Sequence, residues 1–195
     1  MSTIQAYCAV SLDGFIAGHD DDLSWLDEPD SAHTSDPNTV GFPAFMKQTG
    51  AMLMGRRTFD VVMSFGGDWP YGSTPVLVAT SRPVSEAPAT VSTCQGDIHQ
   101  LCQQAKKIAG DRNVYLDGGT LITQALEADC LDELILTVVP VLLGRGVPLY
   151  SGEKRKRFTT TSLGRIGSMT QSKFTRDTDR QGEWAGPSAR TVTAT

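Results

Sequence analysis

Three short polar segments have the residue types needed to bind an anion: residues 55–58 (Gly-Arg-Arg-Thr), 80–82 (Thr-Ser-Arg) and 117–120 (Asp-Gly-Gly-Thr). Each follows an apolar run, and the first and third precede helical patterns. A helix N-terminus offers free backbone N–H groups and a positive dipole end, while arginine and hydroxyl side chains add donors. Each segment alone is also typical of an ordinary helix start or turn. Together, at the ends of three successive runs, they favour a ligand with several phosphates, such as a dinucleotide.

The elements that position these segments follow from hydrophobic patterning. Buried strands are predicted at residues 4–12, 51–54, 75–79, 91–93, 113–116 and 134–139. Helices are predicted at residues 42–48, 58–64, 98–109 and 120–128. Uniformly apolar strands that alternate with helices are typical of a sheet covered on both faces.

The pattern changes after Pro148. Weak alternation at residues 158–163 and 168–175 predicts an antiparallel hairpin at one edge of the sheet. The sequence therefore predicts an α/β fold with a mixed sheet, in one domain of residues 1–175. A polar C-terminal tail of residues 176–195 completes the chain.

Composition argues against several functional classes. The 195 residues carry a formal charge of −5, and a nucleic-acid binder usually shows an excess of basic residues. No apolar run approaches the roughly 20 residues of a membrane helix, and no secretory pattern opens the chain. The four cysteines lack the spacing of a metal site or disulfide framework, so reduced thiols are expected. We expect a cytoplasmic protein with a small-molecule ligand, no metal, no nucleic acid and no membrane partner.

Common catalytic signatures are missing from the sequence. It has no phosphate-loop motif, no Gly-x-Ser-x-Gly elbow and no His-Glu-x-x-His motif. His19, His33 and His99 are far apart in polar contexts, which favours surface roles. A long acidic segment at residues 18–38 is predicted to form a lid or one wall of a binding site.

Four segments, in this order and spacing, resemble the dihydrofolate reductase-like superfamily, and especially its riboflavin-biosynthesis reductase branch, the RibD C-terminal domain. They are residues 9–17 (AVSLDGFIA), 54–59 (MGRRTF), 116–121 (LDGGTL) and 140–146 (PVLLGRG). The likeness spans about residues 4–175. It implies a three-layer αβα sandwich that binds NADPH around a central mixed sheet, and relatives of this branch suggest a homodimer.

The resemblance also implies a cofactor site. Ala9 and Ile16 would flank the nicotinamide with backbone groups, and Ser81 and Arg82 would lie near the 2′-phosphate. The remaining cofactor residues that it implies are Gly55, Arg56, Arg57, Thr58, Thr80, Gly118, Gly119, Thr120, Leu121 and Ile122. The Gly118–Gly119 bond matches the superfamily's unusual cis peptide.

The implied activity is hydride transfer from NADPH to a C=N or C=O bond of a small heterocyclic substrate, as in 5-amino-6-(5-phosphoribosylamino)uracil reductase and dihydrofolate reductase. The substrate would lie near Trp25, Leu26, Phe45 and Thr137. Trp25 and Leu26 are read either as a lid or as ordinary apolar anchors. Dihydrofolate reductases carry a pterin-binding acid where this chain has Gly41, so a substrate other than dihydrofolate is expected.

The proton for the product has two candidate sources. Asp13 is the first acidic candidate, but Asp-Gly is also a favoured turn pair, and water is the other source. Two non-enzymatic alternatives stay open, a non-catalytic NADPH or nucleotide-binding module and an interaction protein without cofactor. NADPH oxidation would exclude the first, and a thermal shift with NADPH would exclude the second.

Overall fold

The computed structural model describes residues 2–26 and 35–177, and these form an eight-stranded sheet with helices on both faces and a small antiparallel sheet of two strands, residues 15–17 and 147–148. The strands are β1 (Ile4–Ser11), β2 (Phe15–Ala17), β3 (Thr49–Gly55), β4 (Val76–Ala79), β5 (Val91–Cys94), β6 (Asn113–Asp117), β7 (Glu133–Val139), β8 (Val147–Pro148), β9 (Phe158–Ile166) and β10 (Met169–Arg176). The helices are α1 (Phe42–Gln48), α2 (Arg56–Ser64), α3 (Ile98–Ala109) and α4 (Gly119–Glu127). Two short 3₁₀ turns, His19–Asp21 and Ser24–Leu26, lie in the first described part of the acidic segment.

The main sheet has the strand order β5-β4-β3-β6-β1-β7-β10-β9. The six strands from β5 to β7 run parallel, whereas β10 runs antiparallel to β7 and β9 antiparallel to β10. The predicted mixed sheet with an antiparallel C-terminal hairpin is therefore confirmed. Because parallel strands share their direction, β3, β4, β5 and β6 all end at one edge of the sheet. The three polar segments that are predicted to bind an anion begin at this edge.

The alternation of side chains along β3 shows how the sheet builds two cores. Ala51 and Leu53 face the core beneath α3 and α4, whereas Met52 and Met54 face the core beneath α1 and α2. Successive residues of a strand point to opposite faces, so a strand buried on both sides must be apolar throughout. The resulting helix–sheet–helix layers match the predicted sandwich.

The ends of the chain bear on two further predictions. Residues 178–195, most of the predicted tail, lie outside the described residues, so the domain boundary at 175 stays a prediction. Among the residues that the structure describes, no helix has both the length and the apolar character needed to cross a membrane.

Candidate active site

A cleft of about 480 Å³ lies along the ends of the parallel strands, and we call it the phosphate cleft. Its lining comprises Gly55, Arg56, Arg57, Thr58, Ala79, Thr80, Ser81, Cys94, Gln95, Gly96, Leu101, Gly118, Thr120, Leu121 and Gln124. Most of the cofactor residues implied by the resemblance thus lie together. Gln95 and Gly96 were missed, although they follow β5 and precede α3 in the same strand-to-helix arrangement.

Two helix N-termini lie at this cleft and offer it groups suited to binding anions. α2 begins after Gly55 and α4 after Gly118, and neither N-terminus is capped by a side chain. The first N–H groups of a helix have no partner within the helix, so they remain available to a bound anion. The two N-termini are close, since a Cβ added to Gly118 would lie 3.7 Å from the Gly55 nitrogen. This cradle fits the diphosphate of a dinucleotide.

The two arginines of the cleft already form ion pairs with carboxylates. Arg56 Nε lies 2.8 Å from Asp60 Oδ1, and its Nη1 donates to the Pro83 carbonyl. Arg57 Nε lies 2.8 Å from Asp21 Oδ2, in the first 3₁₀ turn. The backbone N–H of Arg82 donates to Thr80 Oγ1 at 3.0 Å, which fixes the turn after β4 and leaves Arg82 exposed.

Two cofactor expectations need correction, the cis peptide and Ile122, while the cofactor role of Gly119 stays a prediction beside a packing role that the structure shows. The Gly118–Gly119 peptide is trans, as are the other peptides of the described residues. A Cβ added to Gly119 would lie 2.9 Å from the Pro148 carbonyl oxygen and 3.1 Å from Val147 Cγ1. The lack of a side chain therefore allows α4 to pack against β8. Ile122 is fully buried in the core and does not line the cleft, although Leu121 and Gln124 of the same helix do.

A second cavity of about 320 Å³ adjoins the phosphate cleft, and we call it the aromatic pocket. It shares Arg57, Thr58 and Gly118 with the cleft. The rest of its lining comprises Tyr7, Cys8, Ala9, Ile16, Ala17, Asp21, Leu23, Leu26, Val61, Val62, Phe65, Tyr71, Tyr115, Asp117 and Val147. The two cavities therefore meet where α2 and α4 begin, with Ala9 and Ile16 in the pocket as expected.

The four predicted substrate residues take different positions. Leu26 lines the aromatic pocket and is partly exposed. Trp25 is buried under the loop, where its indole N–H donates to the Asp22 carbonyl at 3.2 Å. Phe45 is buried behind the pocket, with ring centroids 4.9 Å from Tyr7 and 5.1 Å from Tyr115, and Thr137 is buried as an acceptor for Gln171. Trp25, Phe45 and Thr137 thus belong to the supporting structure rather than to the lining.

The carboxyl group of Asp13 is surrounded by hydrogen-bond donors, as in a structural turn, and is not placed as a proton donor. Its carboxylate accepts hydrogen bonds from the Ser11 hydroxyl at 2.6 Å and from the backbone N–H groups of Leu143 and Gly144. These bonds, led by that of Ser11, lower the pKa of Asp13 to about 2, so its carboxyl is ionised at neutral pH. The structure therefore favours the alternative reading of Asp13 as a turn residue over that of a proton donor. The turn holds the loop at residues 143–144 against β1.

Replacing Asp13 with alanine should lower the melting temperature at neutral pH, because three backbone and hydroxyl donors lose their acceptor. A depressed pKa adds stability above the ordinary value of 3.8, and that contribution is lost as pH falls through about 2. The difference between wild type and Asp13→Ala should therefore close over this acidic range in thermal unfolding. Asp111→Ala, at an exposed site, is the control; an equal loss there, or a gap that persists in acid, would contradict the account.

Asp117 is a functional candidate that the sequence did not reveal. Its half-buried carboxyl lies at the end of β6, in the aromatic pocket. Desolvation raises the pKa of Asp117 to about 6. Hydrogen bonding with the Tyr115 hydroxyl and the Gly118 backbone N–H acts in the opposite direction and lowers the pKa by less. A carboxyl that gains and loses a proton near neutral pH in a cleft is suited to acid–base chemistry. In the sequence, Asp117 is only the first residue of the polar segment 117–120, and nothing there indicates acid–base chemistry.

The fold is an α/β architecture of the dihydrofolate reductase kind. Dihydrofolate reductase from Enterococcus faecalis, solved in complex with NADP(H), superposes with a TM-score of 0.54 at 15% identity, over 90% of this chain and 96% of that one. At such low identity, this likeness concerns the fold alone.

The family can be stated more narrowly. Residues 2–172 match the RibD C-terminal domain family, and the chain belongs to it. A protein of Shewanella sp. PV-4 named for riboflavin biosynthesis is 33% identical, with a TM-score of 0.77 over 90% of this chain and 99% of that one. The uncharacterized protein YwjB of Bacillus subtilis is 32% identical over 145 residues, covering 74% of this chain and 80% of its own length. The predicted resemblance is thereby confirmed.

Proposed function

We propose that this protein is an NADPH-dependent reductase that transfers a hydride to a C=N or C=O bond of a small heterocyclic substrate. The observation that carries the proposal is the pair of adjoining cavities that share Arg57, Thr58 and Gly118. One cavity is suited to phosphates, whereas the other is largely apolar and contains a desolvated carboxyl. A dinucleotide that lies across the shared residues would bring its reactive ring beside the second cavity. Membership of the family supports the same reading.

The chain offers a separate group of residues for each part of the cofactor. The uncapped N-termini of α2 and α4 would hold the diphosphate, while Ser81, which lines the cleft, and the exposed Arg82 just beyond it would face the 2′-phosphate. Ala9 and Ile16 would flank the nicotinamide from β1 and β2. When bound there, NADPH supplies the hydride.

The protein's own contribution is to position the substrate, exclude water and manage a proton. Leu23, Leu26 and Phe65 give the aromatic pocket an apolar margin, which keeps water from the reacting bond. Hydride addition to C=N or C=O leaves a nitrogen or oxygen that needs a proton. We assign this proton to Asp117, whose pKa of about 6 lies close to neutral pH.

The proposal extends to the compartment and the assembly. The four cysteines are free, as expected in the reducing cytoplasm, where NADPH is also the usual reductant. The homodimer implied by the resemblance stays a prediction, which size-exclusion chromatography with light scattering would test.

Arg82→Ala should weaken NADPH binding roughly tenfold or more while leaving NADH binding nearly unchanged, because only NADPH carries the 2′-phosphate that the guanidinium would contact. Calorimetric titration of both nucleotides would measure the change. Arg112→Ala, at the opposite end of β6, removes an exposed arginine without approaching the cleft and is the matched control. Equal losses for the two nucleotides would refute the role of Arg82.

Turnover distinguishes the reductase from the non-catalytic nucleotide-binding module. NADPH oxidation should be measured against cyclic imines and carbonyl-bearing heterocycles, with loss of reduced-nicotinamide absorbance as the signal. Oxidation that depends on both substrate and Asp117 supports the reductase. Tight NADPH binding with no oxidation across such a panel would favour the module instead.

A further inference from the structure

The charges of the aromatic pocket differ in kind from those of the phosphate cleft. Its charged lining residues are Asp21, Arg57 and Asp117. Arg57 is already paired with Asp21 at 2.8 Å, so its positive charge is balanced within the pocket. Once Asp117 ionises, the described lining carries a net charge of about −1. The pocket therefore repels anions.

A phosphate on the substrate would be poorly placed here. It would meet the Asp117 carboxylate in a desolvated site, where repulsion between like charges is stronger than in water. Thr80 and Ser81 line only the other cavity, and the two uncapped helix N-termini lie at the junction of the cavities, where the cofactor's diphosphate would occupy them. The other cavity is assigned to the cofactor.

The walls of the pocket offer flat apolar surface with few free donors. The Tyr7 hydroxyl donates to the Val40 carbonyl at 2.8 Å, and the Tyr115 hydroxyl contacts both the Tyr7 carbonyl and Asp117. Both rings therefore present mainly their aromatic faces, and Val61 and Val62 add aliphatic surface from α2. Arg57 and Thr58 offer donors only at the junction with the phosphate cleft, and Asp21 is paired with Arg57, so the Asp117 carboxylate is the acceptor that the pocket presents to a ligand.

Resting on the proposed reductase activity, we infer that the substrate is a planar heterocycle that carries no phosphate and directs toward Asp117 a ring nitrogen, which takes the Asp117 proton and then faces the carboxylate as a protonated N–H group. Such a ring packs against the tyrosines and valines, and its N–H donor satisfies the carboxylate. This class excludes 5-amino-6-(5-phosphoribosylamino)uracil, the phosphorylated substrate of the enzyme that the sequence resembles. The chain keeps the family's reductase site but recognises a different kind of molecule.

Two aromatic probes of opposite charge test this inference on the protein saturated with NADP⁺. Proflavine is a planar cation with N–H donors, and 8-anilinonaphthalene-1-sulfonate is an aromatic anion. Fluorescence titration should give proflavine an affinity at least tenfold higher, in line with one charge-assisted hydrogen bond. Asp117→Asn should remove most of that preference.

The affinity for proflavine should also rise as pH increases through about 6, since the carboxylate form of Asp117 binds the cation. The titratable groups coupled to Asp117 are Cys8, Tyr71 and Tyr115, and burial raises the pKa of each well above neutral. Asp21 and Arg57, the other charged groups of the pocket, balance one another. The pH response should therefore disappear in Asp117→Asn.

A second variant does not depend on Asp117. Asp21→Asn frees the exposed Arg57 guanidinium, so the affinity for the sulfonate should rise severalfold. If NADP⁺ fails to bind in calorimetry, the proposed function fails and this inference with it. If NADP⁺ binds but the sulfonate binds as tightly as proflavine, or if Asp117→Asn leaves proflavine binding unchanged, the inference is overturned while the reductase proposal stands.

Discussion

Gly118→Ala is expected to lower NADPH affinity at least tenfold and to destabilise the fold by about 1–3 kcal/mol. Gly118 has φ of +107°, a conformation that residues with a side chain rarely adopt. The added methyl carbon would also lie 2.5 Å from Thr58 Oγ1, so Thr58, at the start of α2, would have to move its side chain away from α4. Because the N-termini of α2 and α4 form the proposed diphosphate site, this displacement should weaken binding beyond the cost to stability. Calorimetry and thermal unfolding measure the two effects.

Gly110→Ala is the matched control for backbone strain. Gly110 also has positive φ, but nothing lies within 4 Å of an added methyl group, and it follows α3 at the opposite edge of the sheet. Gly110→Ala should lower the free energy of unfolding by about 1 kcal/mol because of the same backbone strain, and it should leave NADPH affinity unchanged. If Gly118→Ala bound NADPH as tightly as this control, the converging N-termini would not be the diphosphate site.

Asp117→Asn should reduce kcat/KM by about 100-fold or more, because general acid catalysis contributes on that order. In wild type, kcat/KM should fall as pH rises through about 6, where Asp117 loses its proton, and the variant should lack this step. NADPH affinity should change little, since Asp117 lies on the side of Gly118 that faces the aromatic pocket. Steady-state kinetics over pH, with NADPH titration of each protein, would measure both quantities.

The stability of Asp117→Asn separates a catalytic role from a structural one. Desolvation raises the carboxyl pKa from 3.8 to about 6, so the folded state is favoured at low pH and loses this advantage as pH rises through about 6. A neutral asparagine avoids that loss, so the variant should be at least as stable as wild type above this pH. A variant that unfolds earlier there, or one that retains full activity, would contradict the assignment.

The architecture could be predicted because local patterns determine it. The apolar runs at β3, β4, β6 and β7 have strand length, and glycine or proline follows closely at most of their ends, so their limits could be read within a few residues. The helix α3 was predicted at its observed bounds, since an Asp97–Gln100 capping box opens it and Gly110 follows it. The parallel order then places the anion-binding segments along one edge.

The direction in which an individual side chain points, and the pKa of an individual carboxyl, could not be predicted in the same way. Phe45 and Trp25 are apolar residues near a site, and only the packing of α1 and of the second 3₁₀ turn shows that both point inward. The Asp13–Gly14 pair indicated a turn, but the partners of Asp13 at Leu143 and Gly144 lie about 130 residues away, so this contact could not be predicted. Asp117 was overlooked because its proton affinity depends on desolvation by Tyr71, Tyr115 and their neighbours, which exists only in the folded chain.

The binding of NADPH and NADH, measured by titration of the purified protein with intrinsic tryptophan fluorescence, tests the central claim most directly. Trp69 packs against Tyr71, a wall of the aromatic pocket, so its emission should respond when the nicotinamide end of the cofactor is bound. We expect micromolar affinity for NADPH and much weaker binding of NADH. If neither nucleotide binds, the chain shares only the fold of these reductases, and the proposed function is wrong.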